Sequence, residues 1–149
     1  MDMRSSRYAG GILLLAALAL IVSCEEAIAG SNLVLSNWRA SPTMVKENET
    51  LTVQMWIANL GDDKVKKSFT VELQGCDREY RKCEKTWATQ QVKPSGDLDP
   101  GKLPGQHIVM EIKPGLARGE NFIQLVVDSK RDVQEKPVTK QLRVPVGAR

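Results

Sequence analysis

Apolar and polar residues alternate with a period of two along most of the chain after residue 30. In the clearest case, Leu51, Val53, Met55 and Ile57 fall on one face of a segment and the residues between them fall on the other. This period is the signature of a β-strand with one buried face. No segment after residue 30 shows helical periodicity, so the sequence predicts an all-β fold.

Seven strand-like segments are predicted, with turns rich in Gly, Pro, Asn and Asp between them. Seven short strands with regular turns are typical of an immunoglobulin-like antiparallel β-sandwich. A stretch of about 120 residues is also the usual size of one domain, so residues 30–149 are predicted to form one domain. The predicted strands are 32–38, 50–58, 68–73, 85–92, 106–113, 120–128 and 138–146.

The first 29 residues have the organisation of an export signal peptide. Arg4 and Arg7 precede an apolar run that ends at Val22, and Ala27 and Ala29 form a small-residue exit before Gly30. The apolar run is shorter than the roughly 20 residues that a membrane-spanning helix needs. The sequence therefore predicts a cleaved signal at 1–29 and a periplasmic or extracellular location for the remainder.

A second processing site competes with the first. Residues 21–24, Ile-Val-Ser-Cys, resemble a bacterial lipobox, in which a small residue precedes a cysteine that becomes acylated. In that case Cys24 would be the lipid-bearing N-terminus, and this lipid would be the only contact of the chain with a membrane. Both alternatives stay open on the sequence.

The other two cysteines predict a structural disulfide. Cys76 and Cys83 form an even pair in a chain that is predicted to be exported, within a charged stretch between two predicted strands. A metal or redox site would need closer cysteine spacing or a nearby histidine. The bond would close a small loop at the end of a hairpin.

Neither catalysis nor a cofactor is predicted. After residue 29 the chain has 19 Lys and Arg against 15 Asp and Glu, spread without a basic stripe, so nucleic acid is not an expected partner. His107 is the only histidine, and no nucleophile or zinc motif accompanies it. Aspartates occur in two loops without the spacing of a calcium loop, so no metal site is predicted. They are Asp62, Asp63, Asp97 and Asp99.

The chain resembles the CARDB module, a cell-adhesion-related, immunoglobulin-like domain of bacterial and archaeal exported proteins. The resemblance covers residues 32–146, and it implies the fold and an extracellular setting but no particular ligand. The loop between the cysteines and the Lys136-Pro137 dipeptide depart from the pattern. The segments that carry the resemblance are 32–35 (NLVL), 49–53 (ETLTV), 57–61 (IANLG), 69–73 (FTVEL), 98–101 (LDPG), 121–128 (NFIQLVVD) and 133–135 (VQE).

Binding without chemistry is the predicted function. The module is expected to bind a cell-envelope protein as an adhesion or scaffolding domain, for which a free sheet edge offers one route. The alternative is a carbohydrate-binding accessory domain that uses Trp56, which falls on the face opposite the aliphatic row and can anchor a sugar or a protein. Trp56 could instead be covered by a loop, Trp38 or Trp87 and serve stability alone.

Overall fold

The structure is a computed structural model that describes residues 30–113 and 115–147. The predicted signal peptide and Cys24 lie outside these residues. Within them the chain is all-β apart from one turn of 3-10 helix at Gly96–Leu98, and it contains no helix that is long and apolar enough to cross a membrane. The strands are β1 Leu33–Ser41, β2 Val45–Lys46, β3 Leu51–Asn59, β4 Phe69–Cys76, β5 Lys85–Val92, β6 Gln106–Ile112, β7 Gly119–Val127 and β8 Val138–Gly147.

All seven predicted strands are present, and β2 is an eighth that the sequence did not predict. The strands form a three-stranded sheet in the order β1-β3-β6 and a five-stranded sheet in the order β2-β8-β7-β4-β5. Neighbouring strands are antiparallel except β2 and β8, which are parallel. The predicted immunoglobulin-like β-sandwich is confirmed.

The core lies between the two sheets and consists of the alternating aliphatic rows. The row on β3 that the sequence identified is completely buried, and it faces equally buried rows of the five-stranded sheet. Burial of each such side chain contributes about 1.5–3 kcal/mol against the cost of ordering the chain. Large side chains without exposed surface include Leu51, Met55, Ile57, Phe69, Leu73 and Ile123.

A β-bulge at Ser36 changes which side chains of β1 face the core. Before the bulge Leu33 and Leu35 face inward, and after it Trp38 and Ala40 do so, as their pairing with inward residues of β3 shows. The Ser36 hydroxyl lies within hydrogen-bond distance of main-chain oxygens on β3 and on the loop before β6. The bulge therefore places the Trp38 indole, which is half-buried, at the margin of the core.

Buried polar side chains organise the loops at one end of the sandwich. The Oδ1 atom of Asn59 accepts hydrogen bonds from the main-chain N–H groups of Asn32 and Gly61, both at 3.0 Å. The Asp128 carboxylate accepts three main-chain N–H groups of the loop that follows it. In that loop, Oε1 of Gln134 accepts the N–H of the first residue of β1 at 2.7 Å. These bonds fix where β1 begins.

Candidate binding face around Trp56

The outward side chains of the three-stranded sheet form an array that we call the Trp56 face. Each row of the array takes one residue from β1, one from β3 and one from β6, in the register of the sheet. The three rows are Asn37-Trp56-His107, Arg39-Gln54-Val109 and Ser41-Thr52-Glu111.

Trp56 is half-buried at the centre of the first row because its neighbours contact its ring. The His107 ring stacks on the indole, with centroids 4.5 Å apart and an interplanar angle of 19°. The Arg39 guanidinium lies 5.3 Å from the indole centroid, in cation–π range. Arg39 comes from β1 and His107 from β6, the strands on either side of β3, so the indole has a neighbouring side chain from each flanking strand.

Gln54 holds the Arg39 side chain in this position. Its Oε1 atom accepts hydrogen bonds from Nε and Nη2 of Arg39 at 3.1 and 2.8 Å. Beside this pair, Val109 presents an apolar side chain that is 44% exposed. The face thus combines a fixed cation, an aromatic edge and an exposed aliphatic group within one sheet.

The residues named from the sequence as covers for Trp56 lie elsewhere. Trp38 is on the inner side of β1, and Trp87 lies over Gly75, where a Cβ atom would be 2.6 Å from the indole nitrogen. The actual neighbours, His107 and Arg39, were not identified as a pair with Trp56, because only the register of three strands brings them together. Whether Trp56 contacts a ligand stays a prediction.

The disulfide between Cys76 and Cys83 closes the β4–β5 connection, as the sequence predicted. The loop folds back onto the outer face of the five-stranded sheet. There the Tyr80 ring packs edge-on against Phe122, with centroids 5.7 Å apart, and its hydroxyl donates a hydrogen bond to the Leu142 carbonyl at 2.8 Å. Burial raises the pKa of the Tyr80 phenol, and the positive charge of a nearby arginine opposes this effect. The loop therefore covers an outward aromatic side chain.

The aspartates in the two loops do not form a ligand cluster. Asp62 and Asp63 line a charged cleft of about 560 Å³ together with three lysines. Asp99 lies 3.5 Å from the ammonium group of Lys64 in an ion pair, and Asp97 lies within the 3-10 helix that Gly96 begins. Across residues 30–113 and 115–147, no three His, Cys, Asp or Glu side chains are placed to hold one metal ion.

The two sheets and their connections define the class of the protein, an immunoglobulin-like β-sandwich module. Among solved structures, the chain is similar to the CARDB domain of a Pyrococcus furiosus protein that was solved in complex with di-metal ions. The TM-score is 0.60 at 18% identity, over 80% of this chain and 96% of that domain. The resemblance to CARDB domains is therefore confirmed for the fold.

A second similar structure is a β-glucosidase of Erythrobacter marinus, with a TM-score of 0.51 and 17% identity. The match covers 76% of this chain but only 15% of the glucosidase. The match thus relates this chain to a small part of the glucosidase and gives no reason to assign glucosidase activity to this chain. No protein-family model matches the sequence, and comparison with curated proteins gives no match.

Proposed function

We propose that this chain is a non-enzymatic binding module that acts outside the cytoplasm as an adhesion or scaffolding domain of the cell envelope. It binds a partner protein through the Trp56 face. The observation that carries this proposal is the indole of Trp56, which stacks with His107 and lies in cation–π range of Arg39. The CARDB-like fold is consistent with such a role but does not identify a partner.

Three properties of the face favour protein binding. Trp and Arg are the side chains most enriched at the energetic centres of protein interfaces. Ordering a free side chain on binding costs about 0.5–1.5 kcal/mol. Here the stacking with His107 already orders Trp56, and the hydrogen bonds to Gln54 already order Arg39. Val109 adds exposed apolar surface next to them. The face is therefore prepared for a flat partner surface.

The same geometry disfavours a sugar stacked on Trp56. Stacking requires an open aromatic face, whereas the His107 ring already stacks on this indole and the Arg39 guanidinium lies in cation–π range of it. A glycan that stacked where the His107 ring now lies would have to displace that ring. A protein partner can instead contact the exposed part of this half-buried residue without displacing its neighbours, which is why we place a protein first.

The experiment compares Trp56→Ala with Trp87→Ala, a matched change of a half-buried tryptophan away from the face. Each variant is incubated with envelope extract and with a glycan panel, and its unfolding is followed in urea. We expect a defined protein partner whose capture falls at least tenfold in Trp56→Ala and is unchanged in Trp87→Ala. Glycan binding that is lost in Trp56→Ala would favour the carbohydrate alternative. Equal capture of the partner protein by the unchanged chain, Trp56→Ala and Trp87→Ala would refute the role of the Trp56 face.

Export is part of the same proposal and is tested on the native product. Cleavage of the predicted signal gives a chain that begins at Gly30, whereas lipidation gives one that begins at an acylated Cys24. Intact mass spectrometry of the protein from its own cells distinguishes the two. A product that retains residues 1–29 would contradict a cleaved signal.

A further inference from the structure

The strand β6 is an edge of the three-stranded sheet, and its free side is regular. It pairs with β3 along its whole length without a register shift, and no other strand pairs with it among the described residues. The free side of an edge strand presents a row of unpaired N–H and C=O groups. A cleft of about 320 Å³ borders it, lined by Val109, Met110 and Glu111 of β6 and by residues 88–90 of β5. The edge is therefore open to an added strand.

The other sheet edges carry features that hinder strand addition. Proteins protect exposed edges with bulges, prolines, lysines and very short strands. In this chain β1 has the bulge at Ser36, β5 has a bulge at Trp87, and β2 consists of two residues. By contrast, β6 has no bulge, and residues 106–112 contain no proline, lysine or arginine. Among these edges, β6 is thus the one best suited to pair with another strand.

The outward side chains of β6 are complementary to a second copy of the same strand. His107, Val109 and Glu111 alternate along β6, and all three are exposed. If two copies of β6 run antiparallel about Val109, this residue lies opposite itself and His107 lies opposite Glu111 of the other copy. A histidine ring donates an N–H whether it is neutral or protonated, and a carboxylate accepts it. Two-fold symmetry forms this contact twice.

Both members of that contact are available for it. The His107 ring stacks on Trp56 through its face, which leaves the N–H groups at the ring edge free to bond in the plane of the ring. Glu111 forms no ion pair within residues 30–113 and 115–147. Residues directly opposite each other in antiparallel strands have Cβ atoms about 4.5–5.5 Å apart, close enough for such a pair.

Other registers lose this complementarity. A shift of two residues places His107 opposite either Val109 or Lys113 of the other copy, so that both histidine–glutamate contacts are lost. A shift of one residue puts outward side chains opposite inward ones, and the two outer faces would no longer lie on the same side. In a parallel arrangement in register, each charged side chain lies beside its own equivalent, and like charges repel. The antiparallel register about Val109 is therefore favoured.

We propose that two copies of this chain associate through their β6 edges as antiparallel strands about Val109. The two three-stranded sheets then form one six-stranded sheet, and the two Trp56 faces lie side by side on its outer surface. Main-chain hydrogen bonds along residues 106–112 supply affinity, and the His107–Glu111 contacts fix the register. The same patch of both copies is used up in the contact, so the assembly closes at a dimer. This proposal goes beyond partner binding at the Trp56 face and does not depend on it.

A single pair of strands is a small interface, so the dimer should be weak. Stable interfaces take about 20–30 residues from each partner, whereas β6 has seven. We expect a dissociation constant of roughly 10 μM to 1 mM. The association is therefore measured at concentrations up to about 1 mM, where a dimer of this affinity is populated.

The test uses a chain that begins at Gly30, because residues 30–147 hold both sheets and the described core. Sedimentation equilibrium measures the association, and amide chemical shifts in NMR spectra locate the contact at residues 106–112. Val109→Lys sets two like charges opposite each other and should weaken the dimer at least about tenfold. Thr89→Lys, at the edge of β5, is the matched control and should leave the dimer unchanged. Both side chains are exposed, so neither change should prevent folding.

Charge exchange between the copies tests the register. His107→Glu places carboxylates opposite each other, and Glu111→Lys removes the acceptor of His107, so each variant alone should dimerise at least about threefold more weakly than the unchanged chain. In a one-to-one mixture, the introduced carboxylate faces the introduced ammonium group, and the remaining histidine faces the remaining glutamate. The mixture should therefore recover an affinity within about threefold of the original. His107→Glu also removes the stack on Trp56, but it does so equally in the mixture.

Three outcomes would overturn the proposal. A chain that stays monomeric at every concentration would show that the β6 edge does not pair with itself. A dimer that is lost in Thr89→Lys and normal in Val109→Lys would place the contact on β5. A mixture that associates no better than its two components would refute the register. Failure of the partner capture with Trp56→Ala would by itself leave the dimer unaffected.

Discussion

The Asp128 carboxylate is the best-defined polar group in the core, and changing it to an amide should be costly. Its side chain has no exposed surface. Oδ1 accepts the N–H of Asp132 at 2.7 Å, and Oδ2 accepts those of Val133 and Gln134 at 3.1 and 2.9 Å. The residue also has a φ of +59°, in the left-handed region that asparagine tolerates as well as aspartate does. Asp128→Asn therefore tests the hydrogen bonds without adding backbone strain.

The expected cost follows from the three donors. The asparagine amide can be oriented so that its oxygen takes the place of Oδ2 and still accepts the N–H groups of Val133 and Gln134. These two hydrogen bonds are weaker than before because the acceptor is no longer charged. The amide nitrogen then takes the place of Oδ1, and since it is a donor it cannot accept the N–H of Asp132, so that hydrogen bond is lost. Hydrogen bonds to charged groups contribute about 1.5–3 kcal/mol each. We expect Asp128→Asn to lower the free energy of unfolding by about 2–3 kcal/mol in urea titrations, a large part of the stability of a typical domain.

Asp132→Asn is the matched control for this prediction. It makes the same chemical change in the same loop, at an exposed carboxylate that forms no hydrogen bond or ion pair within the described residues. It should cost no more than about 0.5 kcal/mol. Because Gln134 links this loop to Leu33, the Leu33 amide should also exchange faster with solvent in Asp128→Asn. Equal stability of the two variants would refute the reasoning.

Three further changes test the loops. Replacing Cys76 and Cys83 by serine should lower the free energy of unfolding by about 2.5 kcal/mol, the chain-entropy value for so short a loop, and a loss below 1 kcal/mol in urea would contradict this. Tyr80→Phe should cost about 1 kcal/mol at neutral pH. Burial raises the pKa of Tyr80, so its stabilising effect is complete below the usual pKa of 10 and is lost as the pH rises through the raised value. The difference in melting temperature between the natural protein and Tyr80→Phe should therefore disappear at high pH. A difference that stays constant with pH would refute this. Gly105→Ala should lower the free energy of unfolding by at least about 3 kcal/mol, because φ is +97° and a Cβ would lie 2.1 Å from the carbonyl oxygen of Ile57 in β3. Gly96→Ala is the control: its Cβ would meet nothing within 4 Å, so the same urea titration should show almost no change.

The sequence predicted those features that depend on local pattern. Alternation located seven strands, and the spacing of Cys76 and Cys83 located a hairpin disulfide. Both signals are carried by residues that are neighbours along the chain. The strand β2 was missed for the same reason, since two residues are too few to show a period of two.

Features that depend on register could not be predicted. Trp56 was assigned to the outward face of β3, but its partners come from strands 15 or more residues away in either direction. Nothing in the sequence states that Arg39 and His107 stand on either side of it. The buried role of Asp128 was equally hidden, because an aspartate at the end of a strand is ordinary in turns. Long-range pairing therefore decides the composition of the candidate site.

The bulge at Ser36 links the fold to the proposed Trp56 face. Without the extra residue, alternation along β1 would continue from Leu35, and a one-residue shift reverses the face of every later side chain. Arg39 would then point into the core and Trp38 would stand on the outer face. Instead, the bulge sends Arg39 outward to Trp56 and turns Trp38 inward to the margin beside β8. One irregular residue in an edge strand thus supplies the cation of the Trp56 face and packs Trp38 against the core.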